Sequence, residues 1–234
     1  MRKTIGIAAV AALLLSLRAG GTYAQRGAAP PPAPEFLFRM GLQNTTRLPI
    51  VQDLITTPNL ELQHYGDGQN IVVAVGPAEY LPRLFNGLCK GPCGLTFRDK
   101  NNYFDLRGKA KIRWTTIVSG FHRARPLIRL ADGRLLIGDQ AHGSVADWQQ
   151  SEVSLSEVRW LALDPVRGVT LGNWVENVDL SKVDEVGYFD VIPGSGVWSA
   201  QGLPVEKQPA PPVGGWIAMY AFELWGRPVS RSAK

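Results

Sequence analysis

Eight side chains in this sequence combine residue types and surroundings suited to gripping a small polar ligand. They are His122, Arg125, Asp139, Gln140, His142, Trp148, Asp190 and Trp198. They fall in three stretches: "SGFHRARP" (119–126), "GDQAHGSVADW" (138–148) and "FDVIPGSGVWSAQG" (189–202). Planar amide, carboxylate and guanidinium groups match sugar hydroxyls, and the flat face of a pyranose stacks on an indole. Trp198 stands in a Gly/Ser-rich loop and is the strongest candidate for an exposed aromatic. Trp148 is equally compatible with exposure and with core packing, whereas Trp114, Trp160 and Trp225 lie in strand-like runs and read as core. Arg125 has an alternative role as an inward-facing arginine paired with Asp139. Together the stretches predict a shallow carbohydrate surface around His122, Asp139–His142 and Trp198.

The same inventory argues against bond-breaking chemistry. His64, His122 and His142 form no His-Glu-x-x-His pattern, and there is no Gly-x-Ser-x-Gly elbow or phosphate loop. Asp184-Glu185 precedes a strand, where a solvated role is the simpler reading. The expectation is binding without catalysis, with no cofactor and no metal. Cys89 and Cys93 flank Gly91-Pro92 in "LCKGPCG". The pair lacks the four ligands of a structural zinc site and is one residue longer than a redox Cys-x-x-Cys, so a small disulfide loop is expected.

Residues 1–24 carry Arg2 and Lys3, an uncharged apolar run, and small residues at Thr22 and Ala24. This is the three-part layout of a signal peptide cleaved after Ala24. A membrane anchor is the alternative, but the run is shorter than the ~20 apolar residues that cross a bilayer. Without this leader, which holds Arg2, Lys3 and Arg18 and no acid, the formal charge falls from +5 to +2. That leaves little electrostatic case for a nucleic-acid partner or an anionic membrane surface. The expected location is periplasmic or extracellular. Residues 25–35 read as a Pro-rich linker, 36–59 as an N-terminal extension, and 60–231 as one all-β domain. The Pro-rich stretch 206–215 reads as an insertion before the last strand.

The elements that must hold the loops are strands. "LELQHY" (60–65), "GLTFRDK" (94–100) and "KIRWTTIV" (111–118) alternate with period two, and "NIVVAV" (70–75) is a short apolar run. Asp132-Gly133 between two apolar runs predicts a hairpin. The phase change in "SEVSLSEVRWLALD" (151–164) suggests a bulge. One phrase is written twice: "FDLRGKAKIRW" (104–114) and "VDLSKVDEVGY" (178–188) align Asp105 with Asp179, Leu106 with Leu180, Ile112 with Val186 and Trp114 with Tyr188. Each copy predicts an aspartate-capped turn, a leucine plug at the end of a sandwich, and a core strand. The predicted core includes Ile112, Trp114, Leu130, Val186 and Phe222.

These phrases, with "LADGRLLIGDQ" and the closing "FELWGRPV", resemble the strand phrases of galactose-binding-like jelly rolls, which include carbohydrate-binding modules of exported bacterial proteins. The resemblance covers roughly residues 60–229 and implies an all-β, two-sheet antiparallel jelly-roll β-sandwich. No catalytic residue of such families maps onto this chain, and a shared fold does not fix a shared function. The leading expectation is an exported binding module for carbohydrate or cell-envelope glycan. The alternatives are a β-sandwich glycoside hydrolase and a structural envelope protein that binds another protein. The sequence says nothing of oligomeric state.

Overall fold

The computed structural model describes residues 32–75, 81–194 and 215–232. Over these the chain forms strands and short 3-10 turns, with no α-helix. The strands are β1 Glu35–Arg39, β2 Leu60–Gly66, β3 Val72–Ala74, β4 Arg83–Phe85, β5 Cys93–Asp99, β6 Asn102–Asp105 and β7 Lys111–Val118, followed by β8 Arg125–Leu130, β9 Leu135–Gly138, β10 Val145–Ser154, β11 Trp160–Asp164, β12 Val169–Val175, β13 Val183–Asp190 and β14 Ile217–Ser230.

All described pairings are antiparallel. One layer runs β10-β7-β14, with β4 and then β3 beside the start of β14 and β1 beside its middle. The other runs β12-β11-β9-β8-β13-β5-β2. The last residues of β14 leave the first layer to pair with β6, which meets β13 through Phe104 and Val183. The fold is an all-β jelly-roll sandwich. Its β14 is apolar on both faces up to Glu223: Ile217, Met219 and Phe222 join the main core, and Ala218 joins a second cluster with Val72, Phe85 and Ile117.

Period-two alternation aims one set of side chains between the layers. Phe38, Phe97, Trp114 and Phe222 meet there, with ring centroids 5.5 Å apart for Phe97–Phe222 and 6.3 Å for Trp114–Phe222. Ile112, Trp114, Leu130, Val186 and Phe222 are all buried, as expected from the alternation. Each such side chain contributes about 1.5–3 kcal/mol by leaving water.

The repeated phrase has a physical purpose. Asp105 accepts the backbone N–H of Arg107 at 3.1 Å, and Asp179 accepts that of Ser181 at 2.9 Å, the same two-residue carboxylate turn in both copies. The copies then join, since the Leu106 N–H donates to the Leu180 carbonyl at 2.8 Å, with both leucines buried. From this clasp one copy leads into β7 and the other into β13, in opposite layers. Asp105 gains more than its twin. Burial pushes its carboxyl up, but bonds from the Arg107 side chain and backbone and from Arg227 outweigh that and hold it at about 2.

Several expectations change. Residues 36–59 are no appendage: β1 pairs with β14, and Phe38, Met40, Ile50 and Leu54 are buried in the main core. The phase change before β11 is a 3-10 turn, Leu155–Glu157, rather than a bulge. In the 132–133 hairpin only Gly133 takes a positive φ, of 90°, while the Asp132 carboxylate accepts the Arg134 N–H at 3.0 Å. Trp225 is half-buried on an outer face, beneath Lys111 and Arg113 and against Phe36. Cys89 and Cys93 are disulfide-bonded, with Cα atoms 6.4 Å apart. Among the described residues no helix is long and apolar enough to cross a membrane.

Candidate functional site

The structure disperses the residues singled out by type. His122 and Asp190 have no exposed side-chain surface. The Asp190 Oδ2 lies 2.5 Å from His122 Nδ1 and accepts the Asn86 side-chain N–H at 2.8 Å, while its Oδ1 accepts the Ile192 N–H at 3.1 Å. Asn86 in turn accepts the Ile217 N–H at 2.6 Å. This buried cluster ties four chain segments together. Sealed from solvent, His122 and Asp190 hold these segments together from within.

Arg125 and Asp139 do not pair directly. Arg125 donates its Nε–H to the Gly138 carbonyl at 2.9 Å, and burial lowers its pKa against the opposing pull of Asp139. Asp139 binds Arg159 instead, accepting its backbone N–H at 3.0 Å and its Nε–H at 2.8 Å. Burial pushes the Asp139 carboxyl up, and the Arg159 bonds prevail and hold it below the usual carboxylate range. His142 lies beside Ala124 through two backbone bonds, with its Nδ1 2.9 Å from Ser151 Oγ. Burial, helped by the Arg123 charge, lowers its pKa. Gln140 is partly exposed. Trp148 is on β10, edge-on to Tyr220 at 4.9 Å, in a small cluster with Val72 and Phe85. Trp198 lies outside the described residues, as do the leader 1–24 and most of 206–215.

A different place gathers binding chemistry. At the outer edge of the second layer, a groove of about 310 Å³ lies between residues 155–160 and 174–180. That volume is at the lower end of small-ligand sites. Val158, Trp160, Val175 and Leu180 give it an apolar floor, and Trp174, Arg159, Ser156, Glu176 and Asn177 give it polar and aromatic walls. Trp174 is 45% exposed. The Arg159 guanidinium lies over its ring, 4.5 Å from the centroid. Asp139 fixes that arginine through Nε, and its terminal nitrogens have no hydrogen-bond partner among the described residues. Trp160 is 3% exposed, and its indole N–H is buried without an acceptor. Asn177, at φ 50°, turns the chain beside Glu176 in the left-handed region that asparagine tolerates.

This assembly joins β11, β12 and the loop after β9, so no short motif contains it. One local signal marks it. Residues two apart on a strand share a face, and the same-face neighbours of Trp174 are Gly172 and Glu176. An aromatic with no apolar neighbour on its own face stands toward water. Only Asp139 of the residues chosen by type belongs to this site, and it acts there through Arg159. Among the described residues no group of three or more His, Cys, Asp or Glu side chains is placed to hold a metal ion.

No protein-family profile matches the chain, and no curated protein is similar to it in sequence. Among solved structures, the chain is similar to the family 11 carbohydrate-binding module of the cellulosomal cellulase Lic26A-Cel5E of Clostridium thermocellum, at 10% identity and a TM-score of 0.38, covering 74% of this chain and 84% of that one. It is also similar to a family 11 carbohydrate-binding module from Clostridium thermocellum in complex with a beta-1,3-1,4-mixed-linked tetrasaccharide, at 12% identity and a TM-score of 0.37, covering 79% and 94%. A third structure, from work on endo-acting O-glycanases of human gut microbiota, gives 9% identity and a TM-score of 0.39, covering 81% and 98%. At these scores the likenesses assign no ligand and no site to this chain.

Proposed function

We propose that this chain is an exported, non-catalytic carbohydrate-binding β-sandwich whose ligand lies in the groove beside Trp174. The half-exposed indole, with an arginine held over it by Asp139, carries this reading. A pyranose stacks its apolar face on the free part of the indole, while its hydroxyls meet the unpaired guanidinium nitrogens, Glu176, Asn177 and Ser156. β12 fixes Trp174 and the Asp139–Arg159 bonds preorganise the guanidinium, which lowers the cost of binding.

Binding is favoured over hydrolysis because the described lining residues include one carboxylate, Glu176, whereas a glycosidase generally sets two carboxyl groups ~5–9.5 Å apart across the bond. The signal-like layout of residues 1–24 and the Cys89–Cys93 disulfide support export, since disulfides persist in oxidising compartments. A groove this shallow, with one stacking ring, implies affinity between ~1 mM and ~1 μM. Glycan-array screening of the chain from residue 25 onward, followed by calorimetry and a parallel hydrolysis assay, tests the reading. Binding without turnover supports it, and release of reducing sugar replaces it with a hydrolase.

A further inference from the structure

The charge around the groove is opposite in sign to that of the chain as a whole, which is +5. The two segments that wall it, 155–160 and 174–180, carry three acids, Glu157, Glu176 and Asp179, and one base, Arg159. That base is already engaged by Asp139 at 2.8 Å. Asp179 accepts the Ser181 N–H and lies within the field of the Arg107 guanidinium, whereas Glu157 and Glu176 make no ion pair among the described residues. Both carboxylates are exposed, and Glu176 lines the groove itself. It is two residues beyond Trp174, with Val175 between them turned toward the core. Two residues of extended chain place the carboxylate ~6.6 Å along the strand from the indole, about the reach of a substituent on a sugar stacked there. Two further observations, independent of the acids, point to a ligand here. The Trp174 indole is 45% exposed beside the groove, and Trp160, which lines it, keeps a buried indole N–H with no acceptor.

We propose that the groove selects amino sugars, that is, hexosamine units with a free, protonated 2-amino group, over neutral, N-acetylated or uronic sugars. This rests on the reading of the groove as a carbohydrate site. The ammonium donates to Glu176 while the ring stacks on Trp174. Glu157 adds a long-range field that attracts cationic chains and repels uronates, and that weakens with salt, while the Arg107 charge offsets Asp179. A hydroxyl or ring oxygen of the sugar accepts from Arg159.

The experiment is calorimetric titration of the chain from residue 25 onward with glucosamine hexamer, N-acetylglucosamine hexamer and a galacturonate oligomer, at low and at physiological salt. The expected result is tighter binding of the amino form by about tenfold over the N-acetylated form at low salt, and no binding of the uronate. Raising the salt shrinks that ratio. In Glu176→Gln the ratio falls to within about twofold of unity, with circular dichroism confirming the fold. Equal or weaker binding of the amino form overturns the selectivity and leaves the carbohydrate site standing. A preference that survives Glu176→Gln overturns the assigned contact. Failure of every sugar, including the other members of a glycan array, overturns the site itself. Binding of an oligolysine in the absence of any sugar binding assigns the acidic groove to a peptide and overturns both.

Discussion

Asp105 is where the clasp between the two layers is electrostatically strongest, and replacing it with asparagine exposes its contribution. The carboxylate is 5% exposed and bonds Arg107 at 2.8 Å and also Arg227. Its pKa of about 2 lies nearly two units below the ordinary 3.8. One unit corresponds to ~1.4 kcal/mol of preference for the charged form, so the ionised state contributes ~2 kcal/mol to folding. Because the folded pKa is the lower one, this stability is fully present above pH ~4 and is lost as pH falls through ~2. Asparagine resembles the protonated acid and keeps an oxygen for the Arg107 N–H. Urea unfolding of the parent and of Asp105→Asn at pH 7, 5, 3 and 2 should therefore give a gap of ~2 kcal/mol at pH 7 that closes toward zero at pH 2. A gap that is independent of pH, or below half a unit at pH 7, would refute the reasoning.

Two further outcomes follow from the fold. Asp190→Ala leaves His122, the Asn86 amide and the Ile192 N–H without their buried acceptor, so urea titration should show a loss of ~3–5 kcal/mol; a loss under 1 kcal/mol would mean that the cluster is solvated. The Cys89–Cys93 loop is short, so its removal as a double serine variant should cost no more than ~2 kcal/mol on the chain-entropy account. Alkylation before and after reduction, read by intact mass, checks that the bond is present.

What the sequence revealed was what is written locally. An Asx turn is set within three residues and strand alternation within six, so the repeated phrase, the 132–133 hairpin and the core from Ile112 to Phe222 were legible. β1 carries little local signal, since "EFLFR" is short and follows a Pro-rich run; the partner that makes it a strand, β14, lies nearly two hundred residues on. β12 is hard to see locally because Gly172, at φ 76°, interrupts the alternation in "VTLGNWV". Of the polar residues singled out by type, His122 and Asp190 are buried, while Arg125, Asp139, Gln140 and His142 keep part of their surface. His122 and Asp190 are 68 residues apart, and nothing local distinguishes a histidine sealed beneath a loop from one upon it. The groove, likewise, exists only once β11 and β12 pair.

The central claim is that the groove beside Trp174 holds carbohydrate, and the most direct test is calorimetry of the parent and Trp174→Ala against the strongest glycan found on an array. Loss of the stacking face removes ~1.5 kcal/mol or more, so the account predicts binding at least tenfold weaker in a variant whose circular dichroism and unfolding midpoint match the parent. A folded variant that binds the glycan as tightly as the parent would contradict it.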